Sequence, residues 1–276
     1  MRKFDPIFVT PRVVQRDWGR DDLGECRRLA RNMNGPVGEI LMSDVSTAVS
    51  SGTPGRAWDG QAVLGDLGRA PPRVRLVFPG RDVTLPSTAP VSFWTLLEPG
   101  SPLRRAGERI RTYEGAEVHL PSGSVALEVS AAFLPTNRPS DGPSLISLPP
   151  VSRRVRATLV REDALSVERW TLPPYSQLTP DGETCHVLVP VTRGIVLDDR
   201  PLKPGQAVFL PAWGRTVALG ADHAAAKVVV AYPDRTPTSI WRHVPGPDPM
   251  PGLLPRPQPV APITAVASFL TDAEAA

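Results

Sequence analysis

Few side chains in this 276-residue chain combine reactive chemistry with a suggestive spacing, and its histidines number four. Glu117 and His119 stand two apart in "EGAEVHLPSG". Residues two apart on a strand point to the same side, so the pair could act as base and orienter in a proton transfer. The same alternation also describes a polar pair on a solvent-facing strand. Glu98, in "LLEPG", is a third candidate catalytic group. Cys185 and His186 are adjacent, so on a strand they face opposite ways and cannot meet as a dyad; Cys185 is expected to be a small buried hydrophobe. His223 and His243 fall in a turn and in the tail, where exposure is expected.

Binding chemistry could come from arginine and tryptophan. The stretch "RRAGERIR" supplies Arg104, Arg105, Arg109 and Arg111. A guanidinium grips phosphate through two parallel bonds, which makes Arg109 and Arg111 candidate ligand-binding residues; the same stretch also reads as a solvated loop with one internal salt bridge. Trp213, in the turn "PAWG", could line a pocket at a barrel mouth. Trp94 and Trp170 lie inside strand-like runs and are expected in the core, since tryptophan buries a large area. No glycine-rich phosphate loop is present.

The elements that must position these groups are strands. The chain has 34 prolines, which central strands and helix interiors do not tolerate. One helical pattern stands out: Leu23, Cys26, Ala30 and Met33, with Asp21 or Asp22 to cap it and Asn34-Gly35 to end it. From Pro72 onward the character is β. "RVRLVF" alternates basic and apolar residues, which predicts one wet face; "VSFWTLL" reads as buried on both faces; "AEVHL" and "SVALEVSAAFL" follow across the turn "PSG". A connector rich in Pro, Ser and Gly ends near Pro149-Pro150, and a second run of short strands extends from Arg153 to Tyr232. Within it "KPG" predicts a type II turn centred on Pro204 and Gly205. The proline-rich tail "VPGPDPMPGLLPRPQPVAP" leads to "ITAVASFLTDAEAA", a terminal helix that either docks or floats.

Composition excludes several classes. The net charge is only +3, and no basic stripe with interleaved aromatics is present, which argues against nucleic acid. No apolar run reaches a membrane span, and Asp5 and Pro6 interrupt the N-terminus where a signal peptide would need its apolar stretch. The two cysteines lie far apart in sequence and do not suggest a disulfide framework. A cytoplasmic location is expected.

The stretch "VTRGIVLDDRPLKPGQAVFLPA", within Leu165 to Tyr232, resembles the core of a cupin barrel. "PRVVQRDWGRDDLG", "PVGEILM" and "LVFPGRDVTLPSTAPVSFWTLLEPG" resemble, in order and spacing, the opening of class I mannose-6-phosphate isomerases. That resemblance implies an all-β fold: two cupin (jelly-roll) barrels, a short N-terminal α/β segment and a Pro-rich tail. The expected divisions are an N-terminal segment at 1–70 packing on the first barrel, barrels at 71–150 and 151–233, and a tail at 234–276.

The family pattern also implies a zinc site in the first barrel, and here the sequence departs from it. The family's Gln-x-His-Pro motif is similar to Leu96-Leu97-Glu98-Pro99, and "PSGSVAL" puts Val125 or Ala126 at a later histidine position. In the second run, "YSQLTPDGETCHVLVPV" contains Glu183 and His186 without a His-x-His pair, and Thr216 stands near a further histidine position. The expectation is therefore no metal and no cofactor, and a degenerate relative that binds a carbohydrate or sugar phosphate or serves a regulatory or scaffold role. Two alternatives stay open: an active isomerase in which Glu98, Glu117 and His119 converge, with zinc if the site is rearranged, and a protein-interaction module using the Pro-rich tail. Barrel edges also favour pairing, so a homodimer is compatible with the sequence.

Overall fold

The computed structural model describes residues 5–43, 71–132, 144–148, 155–162, 164–182, 184–222, 226–233 and 240–242. The connector at Pro149-Pro150, Glu183, His223, His243 and the Pro-rich tail with its terminal segment lie outside the described residues.

The fold is all-β, as expected. The first large sheet has seven strands in the order β10 (Leu145–Ser147), β7 (Arg109–Tyr113), β6 (Val91–Glu98), β9 (Val125–Ser130), β4 (Arg73–Val77), β3 (Val37–Leu41) and β2 (Arg12–Arg20). A two-stranded sheet of β5 (Val83–Pro86) and β8 (Glu117–Leu120) faces it. The second large sheet has six strands: β1 (Ile7–Val9), β17 (Ala207–Leu210), β14 (His186–Pro190), β19 (Lys227–Tyr232), β12 (Leu165–Thr171) and β11 (Arg156–Glu162). Five strands face it: β16 (Arg200–Leu202), β15 (Ile195–Leu197), β18 (Val217–Ala221), β13 (Ser176–Leu178) and β20 (Trp241–Arg242).

Three apolar clusters explain why these strands pack as two barrels. Val77, Trp94, Leu96, Ile110, Val118, Leu120 and Ala126 fill the first barrel. Trp170, Leu188, Val208, Leu219, Val230 and their neighbours fill the second. The third and largest joins the outer faces of the two large sheets, with Ile40, Leu76, Phe93 and Leu127 on one side and Val167, Val187, Phe209 and Val229 on the other. The central strands of each large sheet are thus buried on both faces, and "VSFWTLL" is mostly apolar because it forms such a strand. Trp94 and Trp170 are core residues, as predicted.

The N-terminal segment serves both barrels. β1 pairs with β17 of the second barrel, and β2 and β3 extend the first. The expected helix is a 3-10 helix, Gly24–Ala30. Its start explains the difference: Gly24 has φ +51°, and Leu23 makes no side-chain capping bond. Asp22 instead accepts the Gly24 N–H at 2.9 Å, closing a local turn rather than feeding an α-helix. The "KPG" turn forms as predicted, with the Gln206 N–H donating to the Lys203 carbonyl at 3.1 Å and Gly205 at φ +82°.

Candidate ligand site in the first barrel

Strand alternation selects the residues that line the first barrel. On β4, Val74 and Leu76 turn toward the second barrel, so Arg73, Arg75 and Val77 turn inward. On β9, Val125, Leu127 and Val129 face outward and Ala126, Glu128 and Ser130 inward. Glu39 on β3 and Ser92 and Trp94 on β6 face inward by the same rule. The wet face expected for "RVRLVF" is therefore the inside of a barrel mouth rather than the outer surface.

These inward groups form one connected network. Arg16 Nε donates to Glu39 Oε1 at 2.8 Å, and Arg75 Nη1 donates to Glu39 Oε2 at 3.0 Å. Arg75 Nε donates to Glu128 Oε2, and Ser92 also hydrogen-bonds Glu128. Deeper in, Trp94 Nε1 donates to Thr112 Oγ1 at 3.3 Å, and Thr112 donates to Ser87 Oγ at 3.1 Å. The Arg75 guanidinium lies over the Trp94 ring, 5.5 Å from its centroid. Burial pushes the Glu128 carboxyl above its ordinary range, with Arg75 opposing the shift. Burial alone would lower the Arg75 pKa, but Glu128 and Glu39 outweigh it and raise it. Arg75 is a permanent, immobilised cation at this point of the barrel.

Above the network opens a cavity of about 440 Å³. Arg12, Arg73, Arg75, Glu128, Ser43, Thr88 and Ser130 supply its polar lining. Arg73 is exposed and makes no ion pair with any described residue. Three guanidiniums against one carboxylate in the lining favour an anionic or strongly polar ligand, and the hydroxyls suit a ligand rich in hydroxyl groups.

The residues singled out from sequence lie elsewhere. Glu117 and His119 do share a face, but it is the outer one: Val118 and Leu120 point into the barrel and the pair is exposed. His119 Nδ1 lies 3.4 Å from Thr84 Oγ1. Glu98 is held by Arg20 Nη2 at 3.3 Å. Arg109 and Arg111 belong to β7, not to a loop, and face the second barrel. Arg109 is buried with Nη1 3.5 Å from the Leu159 carbonyl, and burial, with nearby Arg169, lowers its pKa. Arg111 forms an ion pair with Glu162. Arg104 and Glu108 make the salt bridge expected within the loop, at 2.9 Å. Trp213 packs against Gly182 and does not line the cavity.

The positions at which the family would ligate zinc do not fit that ion. Leu96 and Ala126 are apolar and fill the barrel, Val125 faces the other barrel, and Glu98 is paired with Arg20. Among the described residues no three His, Cys, Asp or Glu side chains come together as a metal site would require.

The second barrel holds a buried polar cluster that the sequence reading missed. Glu168 accepts from Arg156 Nε at 2.5 Å and Nη2 at 2.9 Å, from Trp170 Nε1 at 2.7 Å and from Tyr232 Oη at 2.8 Å. Burial would raise its pKa, but these donors outweigh burial and lower it. The Tyr232 phenol is pushed up to about 12 by burial and by Glu168. His186 packs beside Tyr232, with ring centroids 4.9 Å apart. Its Nδ1 lies 3.0 Å from the Thr184 carbonyl, which fixes the proton on Nδ1. Burial lowers its pKa to about 4, so the imidazole is neutral. Cys185 points the other way, into the core between barrels, and burial pushes its thiol up to about 12. Glu39 and Glu128 share one signal: each is the lone charged residue inside a largely apolar strand, whereas Glu168 stands beside Arg169 in β12.

Two jelly-roll barrels joined through their large sheets make a bicupin-like fold. Solved mannose-6-phosphate isomerases share this architecture. A candidate mannosephosphate isomerase from Archaeoglobus fulgidus superimposes with a TM-score of 0.58 at 13% identity, covering 85% of this chain and 99% of that one. A phosphomannose isomerase variant from Salmonella typhimurium gives 0.57 at 10% identity, over 83% and 100% of the two chains. The mannose 6-phosphate isomerase from Bacillus subtilis gives 0.50 at 15% identity, over 82% and 99%. No family model and no curated protein matches the sequence. The likeness is one of fold, and a fold of this kind does not by itself fix a function. Among the described residues no helix is long and apolar enough to cross a membrane.

Proposed function

We propose that this chain is a mannose-6-phosphate-isomerase-like bicupin that binds a carbohydrate or sugar phosphate in the first barrel without a resident metal. The supporting observation is the cavity of about 440 Å³ lined by Arg12, Arg73 and Arg75, with hydroxyls of Ser43, Thr88 and Ser130. Its volume accommodates a monosaccharide with a charged substituent. Arg73 anchors the anionic group, and Glu128 accepts from ligand hydroxyls. The polar network beneath is held by protein partners, so the floor is fixed before the ligand arrives, which limits the ordering cost of binding.

Calorimetric titration of the full chain with mannose 6-phosphate and with mannose tests this reading. Mannose 6-phosphate should bind, and Arg73→Ala should weaken it about 10-fold or more, the worth of a charge-assisted bond. Plasma mass spectrometry on protein purified without chelators should find less than a stoichiometric metal. About one zinc per chain, or no binding of either sugar, would refute the reading.

A further inference from the structure

The two barrels differ in their smaller sheets. In chain order, β13, β14, β17, β18 and β19 of the second barrel correspond to β5, β6, β7, β8 and β9 of the first. β18 pairs with β13 on one side and with β15 on the other. β8 pairs with β5, and among the described residues nothing pairs with its other edge. The β15–β16 hairpin lies within residues 191–206, whereas residues 99–108 stand in its place in the first barrel and form no strand. The place that β15 takes on β18 is thus open on β8.

Backbone parity shows what this edge offers. The Ser87 N–H donates to the Ala116 carbonyl at 2.7 Å, in register with the β5–β8 pairing. Bonded pairs alternate from there, so Leu85 with Val118 is a bonded pair, while Pro86 with Glu117 and Thr84 with His119 are not. Glu117 and His119 therefore aim their N–H and C=O groups away from β5, at the open edge. On the far edge of β5 the equivalent residues are Thr84 and Pro86, and Pro86 has no N–H to give, which blunts that edge. The side chains of Glu117 and His119 are both exposed. His119 Nδ1 lies beside Thr84 Oγ1, which leaves Nε2 available.

We propose that β8 is the contact strand of a twofold dimer, with a second copy of this chain as its partner. Two β8 strands running antiparallel about Val118 set Glu117 opposite the partner's His119, and His119 opposite the partner's Glu117. Both residues of each pair aim their main-chain groups at the edge, so each pair exchanges both N–H···O bonds. The same register brings the Glu117 carboxylate to the partner's His119 imidazole, which can donate to it from Nε2, once on each side of the axis. A foreign strand would have to supply this complement, whereas a second β8 already carries it. Val118 meets the partner's Val118 on the inner side and continues the apolar layer of the barrel wall. The antiparallel sense matches that of β15 on β18. A contact this short makes a weak dimer that dissociates on dilution.

Sedimentation equilibrium of the full chain over a range of concentrations tests this. The mean mass should rise with concentration toward twice that of the chain. His119→Glu sets like charges opposite each other on both sides of the axis and should weaken the dimer about 10-fold or more. Adding Glu117→His to that variant restores opposite partners and should recover most of the loss. His119→Pro removes an edge-facing N–H without touching a bond to β5 and should abolish the dimer. Circular dichroism and thermal melting of each variant separate a lost contact from a lost fold. A chain that stays monomeric up to about 1 mM overturns the proposal. So does a dimer whose strength neither His119→Glu nor His119→Pro changes, or a double swap that binds no more tightly than His119→Glu alone.

Discussion

The buried imidazole of the second barrel should set the acid stability of the protein. His186 is 2% exposed and neutral, with Nδ1 bonded to the Thr184 carbonyl. Glu168 and Asp181 favour its charged form, but burial dominates and its pKa falls to about 4. A histidine in the unfolded chain titrates near ~6.5. Between those values the unfolded chain binds a proton that the folded chain refuses. The histidine therefore costs no stability above the unfolded pKa, and stability is lost as the pH falls through the window from about 6.5 to 4. Integrating that difference from pH 7.5 to 4.5 gives a loss of about 2.5 kcal/mol from this one residue. Urea unfolding at the two pH values, for the wild-type protein and His186→Asn, isolates it. Asparagine can still donate to the Thr184 carbonyl but does not titrate, and every carboxylate contribution is common to both proteins. The wild type should lose about 2.5 kcal/mol more than the variant over this interval. Equal losses would refute the assignment of a neutral, desolvated imidazole to the barrel interior.

Two further perturbations probe the same structure. Tyr232→Phe removes a bond to the buried Glu168 carboxylate and should destabilise the protein by about 1.5–3 kcal/mol in urea unfolding. Gly205→Ala should lower the thermal midpoint, because a Cβ there would lie 2.7 Å from Leu29 Cδ1 and the backbone has φ +82°; the expected cost exceeds about 1 kcal/mol.

The parts of this fold that local rules govern were legible in the sequence. Proline density, the alternation of "AEVHL" and the "KPG" turn all follow from constraints within a few residues, and the structure keeps each of them. The outward pairing of Glu117 with His119 was also legible as a shared face. What alternation cannot supply is which face lies inside, because that depends on strands far away in sequence. "RVRLVF" illustrates this. Its basic face reads as solvent-exposed, yet β4 lies between β9 and β3, and the face closes over a cavity. The same gap moved Arg109 and Arg111 from an expected loop to a strand against the second barrel. Histidine drew attention because metal chemistry uses it, whereas the informative residues were Glu39, Glu128 and Glu168. A buried carboxylate persists only if cations or donors reach it, so each of these acids implied an arginine partner that the sequence does not name. Arg75 and Arg156 supply it.

The N-terminal strand has a consequence for how the chain is made. Ile7 pairs with Phe209, about 200 residues later in the sequence. During synthesis the first barrel can assemble its large sheet while the residues of β1 still have no edge to join. They must wait until β17 has left the ribosome, and only then can the second barrel's large sheet be completed. Because just Thr10 and Pro11 separate β1 from β2, this late pairing also fastens the two barrels to each other. A strand translated before the first barrel is thus among the last to be fixed, and the second barrel closes on a strand made long before the rest of it.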